Sequence, residues 1–277
     1  MTRANNNMNI SIIGCGWFGM AVAKEMLTKG YLVKGSTTTP EKIEQLADAG
    51  IKPYLLDFGS GKTVDPQDFF DADILLICIP PKRNSTTLDQ YTSKIAQMAS
   101  LATTHGTKKV LFISSTSVYG DANAVIDEDT PAHPETASGL QILNAEQILQ
   151  QNPNFSTTIL RFSGLVGPGR HPGRFFAGKK NIPNGQAPVN LIHLDDCIGI
   201  TINIIEDNAF GYIFNASSPD HLQKQQFYQK AIQAAGLEDA TFIDELTEWK
   251  IISSIQVPKQ LNYTYKTANW TKWLEEL

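Results

Sequence analysis

The stretch Asn9-Ile10-Ser11-Ile12-Ile13-Gly14-Cys15-Gly16-Trp17-Phe18-Gly19 decides the fold. An isoleucine-rich run, read as a buried strand over 8–13, opens into G-x-G-x-x-G, and a helical pattern follows over 18–29. The glycine spacing alone says little; the strand before it and the helix after it carry the reading. In that setting Gly14 makes the tight turn, Gly16 lets a pyrophosphate approach the backbone, and Gly19 allows the helix to lie close on the strand. The helix N-terminus then offers its positive dipole end to phosphate. Trp17 and Phe18 belong to the same loop and join its candidate cofactor contacts.

Outward from this loop, short runs rich in Ile, Val and Leu alternate with helical patterns. Strands are predicted at 31–36, 51–56, 73–79, 109–115 and 157–163, and helices at 40–49, 88–102 and 138–151, with Pro40 at the first helical position. This rhythm predicts an α/β fold, a Rossmann-type doubly wound parallel sheet. The segment 119–134 is polar and reads as a loop. After Gly167-Pro168-Gly169 the rhythm loosens, so 1–167 reads as a dinucleotide-binding domain and 168–277 as a smaller C-terminal substrate-binding lobe. A late helix and strand near 195–215 return to the first domain. The helix over 138–151 is apolar on two faces, one with Leu140, Leu143 and Ile148 and one with Ile142, Ala145 and Leu149, which points to burial against the sheet and a second subunit in a homodimer.

Composition narrows the function. The chain has 277 residues, 42% hydrophobic and 18% charged, enough to bury a large core and exclude disorder. Lys and Arg number 23 against 28 Asp and Glu, a net charge of −5 with no basic stripe, so nucleic acid is not an expected partner. The polar opening residues and the lack of any apolar run near the roughly 20 residues of a membrane helix lead to the expectation of a cytoplasmic protein without membrane contact. Three widely spaced cysteines, Cys15, Cys78 and Cys197, read as reduced thiols. The five histidines show no i, i+4 pair and no metal spacing, so no metal is expected. Ser115, His193 and Asp195 supply the residue types of a hydrolase triad, but Ser115 lacks the glycine-flanked elbow that exposes such a nucleophile.

The second strand predicts the cofactor. An NAD site of this kind carries an acidic residue at that strand's end for the ribose 2′-hydroxyl. Here the strand ends Gly35-Ser36-Thr37-Thr38-Thr39, with no carboxylate to repel a 2′-phosphate, and the hydroxyls of Ser36, Thr37 and Thr38 stand near Lys42. The reading favours NADP over NAD. Asp57, ending the third strand, meets the adenine amino group or caps a turn; Lys82 and Arg83 follow the fourth strand as phosphate contacts or solvated cations.

With the glycine loop, Ser114-Ser115-Thr116-Ser117-Val118-Tyr119-Gly120 and Leu160-Arg161-Phe162-Ser163-Gly164-Leu165-Val166-Gly167-Pro168-Gly169, the chain resembles the extended short-chain dehydrogenase/reductases. More narrowly it resembles their NAD-dependent epimerase/dehydratase-like members, from about residue 8 to about residue 220, with Ile192-His193-Leu194-Asp195-Asp196 matching a late motif. The resemblance implies a catalytic serine, matched by Ser115, and a Tyr-x-x-x-Lys pair on the next helix, in which lysine lowers the tyrosine pKa. Such a phenol exchanges a proton with a carbonyl oxygen while hydride moves at the nicotinamide. Aligned on Ser138-Gly139 and Ala145-Glu146, this helix carries Ser138 and Ile142 at those two positions. The acid-base pair is missing, which marks an atypical member.

Tyr119 is then the candidate substitute phenol, Ser163 lines the nicotinamide end after the sixth strand, and Arg170 and Arg174 bind an anionic part of a small-molecule substrate. His193 and Asp196 orient the late helix. Two functions are expected from these residues: an NAD(P)-binding oxidoreductase or epimerase-like enzyme using a non-standard acid, or a catalytically inactive NADP-binding sensor or scaffold.

Overall fold

A computed structural model describes residues 8–59, 67–81, 88 and 90–277; Lys82 and Arg83 lie outside the described residues. The strands are β1 (Asn9–Ile13), β2 (Leu32–Thr37), β3 (Lys52–Leu55), β4 (Ile74–Ile77), β5 (Lys109–Ser115), β6 (Ala124–Ile126), β7 (Ser156–Phe162), β8 (Gly164–Val166), β9 (Leu191–His193), β10 (Ile213–Ala216) and β11 (Lys250–Ile252). The helices are α1 (Trp17–Thr28), α2 (Lys42–Asp48), α3 (Gln67–Phe70), α4 (Gln90–Thr104), α5 (Ala137–Gln150), α6 (Leu194–Glu206), α7 (Lys224–Ala234), α8 (Gln256–Leu261) and α9 (Trp270–Glu275).

Seven strands form one sheet in the order β10-β7-β5-β4-β1-β2-β3. The ladders of β1 with β2 and β4, of β2 with β3 and of β4 with β5 are all parallel, and Ile10 stands opposite both Val33 and Ile74. The expected Rossmann-type parallel sheet is thus the observed one. Burial explains the composition of its central strands: all four residues of β4 are inaccessible, because a parallel sheet is covered on both faces and needs apolar side chains on each. Polar residues in this layer are matched to partners. The Ser11 hydroxyl donates to the Phe69 carbonyl, and the buried Lys34 ammonium donates to the carbonyls of Asp68 and Asp71 around the end of α3, where a cation meets the negative dipole end.

The chain groups into two compact units, each assembled from three segments. One comprises Met1–Val118, Pro134–Leu160 and Thr201–Ile213; the other comprises Tyr119–His133, Arg161–Ile200 and Phe214–Leu277. The second unit holds its own apolar cluster, in which Trp270 and Phe227 meet edge to face and pack with Val166, Leu191, Ala231 and Leu274. It also contains two small parallel pairs, β6 with β11 and β8 with β9. The segment 119–134 therefore contributes a strand where the sequence reads as loop, since three residues are too few to show alternation. Pro40 lies in a turn, and α2 begins two residues later at Lys42.

A buried carboxylate anchors the stretch 263–267. Asp196, in the first turn of α6 and wholly buried, accepts hydrogen bonds from the Tyr263 hydroxyl at 2.9 Å, the Lys266 N–H at 2.7 Å and the Thr267 N–H at 3.0 Å. The Tyr263 ring lies against Gly199, where a Cβ would come within 2.4 Å of its hydroxyl. Asp196→Asn replaces an acceptor-only group by one that points an amide N–H at other donors, so it is expected to lower stability by about 1–3 kcal/mol. Urea unfolding measures this, and an unchanged midpoint would show that Asp196 does not anchor the segment.

Candidate functional site

The turn after β1 is held by the end of β2. Gly14 has φ +92°, a conformation open to glycine, and its N–H donates to the Ser36 hydroxyl at 3.1 Å. The Cys15 N–H donates to the Ser36 carbonyl and the Gly16 N–H to the Gly14 carbonyl, both at 2.8 Å. The three glycines of the loop face different surroundings. A Cβ on Gly14 would fall 2.7 Å from Ile79 Cγ2, and one on Gly19 would fall 2.2 Å from the Gly14 carbonyl oxygen. On Gly16 it would meet nothing within 4 Å among the described residues. Gly14 and Gly19 are thus required by packing, whereas the space beside Gly16 is open. Gly16 is also the N-cap of α1, where no side chain caps the helix and no acidic residue occupies the first turn. The positive dipole end of α1 is not met by a carboxylate of its own first turn.

Around the loop, Trp17 is half-buried, and Phe18 and Cys15 are buried. Burial pushes the Cys15 thiol up to about 12, so it stays protonated and inert. At the end of β2, Ser36 and Thr37 are buried, and each hydroxyl is already engaged: Ser36 accepts from Gly14, and Thr37 accepts from the Thr39 N–H at 3.1 Å. Thr38 and Lys42 are exposed. Asp57 is exposed too, and its carboxylate accepts from the Gly59 N–H at 2.8 Å in a turn. The structure therefore brings Gly14, Gly16 and Ser36 into one hydrogen-bonded loop, with Gly19 packed against the Gly14 carbonyl.

Ser115 ends β5 half-buried, and its oxygen accepts from the Ser117 N–H at 3.1 Å. The next helix, α5, is capped by Thr136, whose hydroxyl accepts from the Gly139 N–H at 3.0 Å. Gly139 sits directly on the preceding turn, where a Cβ would fall 2.5 Å from the Ser117 carbonyl oxygen. At the two positions of the expected acid-base pair, Ser138 lies 3.3 Å from the Thr136 hydroxyl, and Ile142 is buried. Glu146, one turn beyond, is almost wholly buried and accepts from the Ser114 hydroxyl at 2.5 Å. Its role as an anchor was foreshadowed only by its position, four residues after Ile142 on a buried stripe.

In the second unit Tyr119 is buried. Its hydroxyl accepts from Arg161 Nη1 at 2.5 Å and lies 3.1 Å from both the Asp127 carbonyl and Asn215 Oδ1, while the Arg161 guanidinium stacks over its ring. Burial raises the Tyr119 pKa, the reverse of what a neutral-pH phenolic acid needs. Glu128, which sequence reasoning missed, accepts the N–H groups of Asn215, Ile255 and Gln256, and desolvation raises its pKa. Ser163 is buried just beyond β7, and Arg170 and Arg174 are exposed. His193 is buried, which lowers its pKa, and its Nδ1 accepts from the Asp195 N–H at 3.2 Å. Among the described residues no group of three or more His, Cys, Asp or Glu side chains is placed to hold a metal.

The family model described as NAD dependent epimerase/dehydratase family matches residues 10–215. The chain belongs to this family. Protein YeeZ of Escherichia coli (strain K12) is 37% identical over 262 residues, covering 93% of this chain and 95% of that protein. Among solved structures, a functionally unknown conserved protein from Silicibacter pomeroyi is 24% identical with a TM-score of 0.78, covering 98% of each chain. UDP-glucuronic acid 4-epimerase from Bacillus cereus, solved with UDP-glucuronic acid and NAD, is 18% identical with a TM-score of 0.79 and covers 97% of each. The chain is thus an NAD-dependent epimerase/dehydratase-family protein. Among the described residues no helix is long and apolar enough to cross a membrane.

The two glycine environments predict opposite behaviour. Gly19→Ala is expected to lower stability by about 1–3 kcal/mol, because the methyl group has backbone where it must go. Gly16→Ala is expected to stay within about 0.5 kcal/mol of the wild type. Thermal unfolding of both variants checks this, and equal losses would contradict the open space at Gly16.

Proposed function

We propose that this family member binds a nicotinamide dinucleotide with its pyrophosphate over Gly14, Gly16 and Gly19, and that it acts as an oxidoreductase or epimerase on a small polar substrate. The observation that carries the reading is the open space beside Gly16 at a helix N-terminus without a side-chain cap. Trp17 and Phe18 border this loop, and Asp57 holds the turn after β3. When bound, the nicotinamide supplies hydride transfer.

The preference we propose is NADP over NAD. Ser36 and Thr37 are buried, each accepting a backbone N–H, so the 2′-phosphate falls to the exposed Thr38 and Lys42, with no carboxylate from Ser36 to Thr39 to repel it. Ser115 holds the substrate oxygen: its own oxygen already accepts from Ser117, and its hydrogen has no protein acceptor among the described residues. Tyr119 serves as a positioning residue through Arg161 and Asn215. Arg170 and Arg174, exposed in the substrate-binding lobe, meet an anionic group of the substrate. The same reading includes a cytoplasmic homodimer packed through the second face of α5, where Leu140 is 49% exposed.

Titration with NADPH and NADH, followed by quenching of tryptophan emission, tests the cofactor. Saturable binding is expected, about tenfold tighter for NADPH, which corresponds to ~1.4 kcal/mol, and weakened in Gly16→Ala. NADH binding at least as tightly would overturn the NADP preference, and binding of neither would overturn the dinucleotide reading. Chemistry is tested by the double variant Ser138→Tyr with Ile142→Lys, which restores a phenol and a lysine at i, i+4. Carbonyl reduction gained across a substrate panel is the expected result; no gain would count against these two positions as the acid-base site.

A further inference from the structure

Beyond the cofactor loop, the second unit contains a row of buried polar side chains on two adjoining strands. The Ile159 N–H bonds the Tyr212 carbonyl, and the Ser163 N–H bonds the Ala216 carbonyl. This constant offset sets Arg161 opposite Asn215 and Ser163 opposite Ser217. Arg161 and Asn215 share a face, since both reach the Tyr119 hydroxyl. Residues two apart on a strand point the same way, so Ser163 and Ser217 continue that row at the ends of β7 and β10.

Both serines are almost wholly buried, at 5% and 1% exposure, and neither hydroxyl has a protein partner among the described residues. The Tyr265 hydroxyl is likewise buried, and it adjoins the Ser217 main chain and the Ser254 side chain. Ser254 is already committed, accepting from the Ser217 N–H and donating to the Ser217 carbonyl. Neighbouring strands lie ~4.8 Å apart and neither serine hydroxyl bonds the other, so one atom between them would serve both. A buried hydroxyl without a partner is unfavourable, and an occupant here must hydrogen-bond both oxygens while remaining one heavy atom in size, which a water does as donor, acceptor or both. A cation is disfavoured by the Arg161 guanidinium in the same row.

We propose that Ser163 and Ser217 bind a single internal water molecule, with Tyr265 as its third partner. The water closes the row that runs from Glu128 through Asn215, Tyr119 and Arg161, and it turns the Ser163 hydroxyl inward. Ser163 then contributes to the site through its backbone and its position rather than through its hydroxyl. The inference is independent of which dinucleotide binds, and of whether any does.

A crystal structure of the wild-type chain that shows ordered waters is the direct test. A peak within hydrogen-bond distance of both serine Oγ atoms is expected, and it should vanish in Ser217→Val, where a methyl group takes the hydroxyl's place. Unfolding of Ser163→Ala, Ser217→Ala and the double variant gives a second readout. Two hydroxyls holding one water are coupled, so the double variant should raise the unfolding equilibrium constant by about the factor of the larger single variant. Factors that multiply, or no peak in the wild-type structure, would overturn the proposal.

Discussion

The contact between Gly19 and the Gly14 carbonyl sets the position of α1, and the loop geometry depends on it. With no side chain at Gly19, the helix lies so close to the turn that a single added carbon would sit 2.2 Å from a backbone oxygen. The turn is in turn tied to β2 by two bonds to Ser36, so strand, turn, helix and neighbouring strand form one rigid unit before any ligand arrives. Such pre-organisation reduces the ordering cost of binding, because the donors need not be gathered at the moment of association.

The second unit is organised by a different means. Where the sheet centre is apolar on both faces, this unit places Tyr119, Arg161, Asn215, Asp196 and Glu128 in buried or half-buried positions, each bonded to backbone or to another of these side chains. Buried polar groups of this kind are costly if any partner is lost. They fix one arrangement of irregular segments that lack the long ladders of a sheet.

Much of the fold was legible because the sheet is parallel and doubly covered, so its strands are apolar runs punctuated by glycine and proline. The predicted strand at 109–115 has the bounds of β5, and those of β1, β2 and β7 differ by one residue at one or both ends. The three-residue strands β6 and β11 were not legible, since they are defined by pairing across more than a hundred residues. At the candidate site, residue type was informative and direction was not. Ser36 and Thr37 look alike in sequence to Thr38, yet two hydroxyls turn to the backbone and one side chain is exposed. Tyr119 reads as a phenol near Ser115, and only the partners at Asp127, Arg161 and Asn215 reveal its role as a hub. Glu128 carries no local signal, because its partners are main-chain N–H groups far along the chain.

The fastening of α5 has a wider consequence. This helix is located by Thr136 at its cap, by Gly139 against the Ser117 carbonyl and by Glu146 bonded to Ser114. Neither Ser138 nor Ile142 supplies any of these three attachments. Frame and reactive group are therefore separable on the same helix: the bracket stays where it is when the tool mounted on it is exchanged. A scaffold built in this way can change the side chains at Ser138 and Ile142 while keeping its architecture.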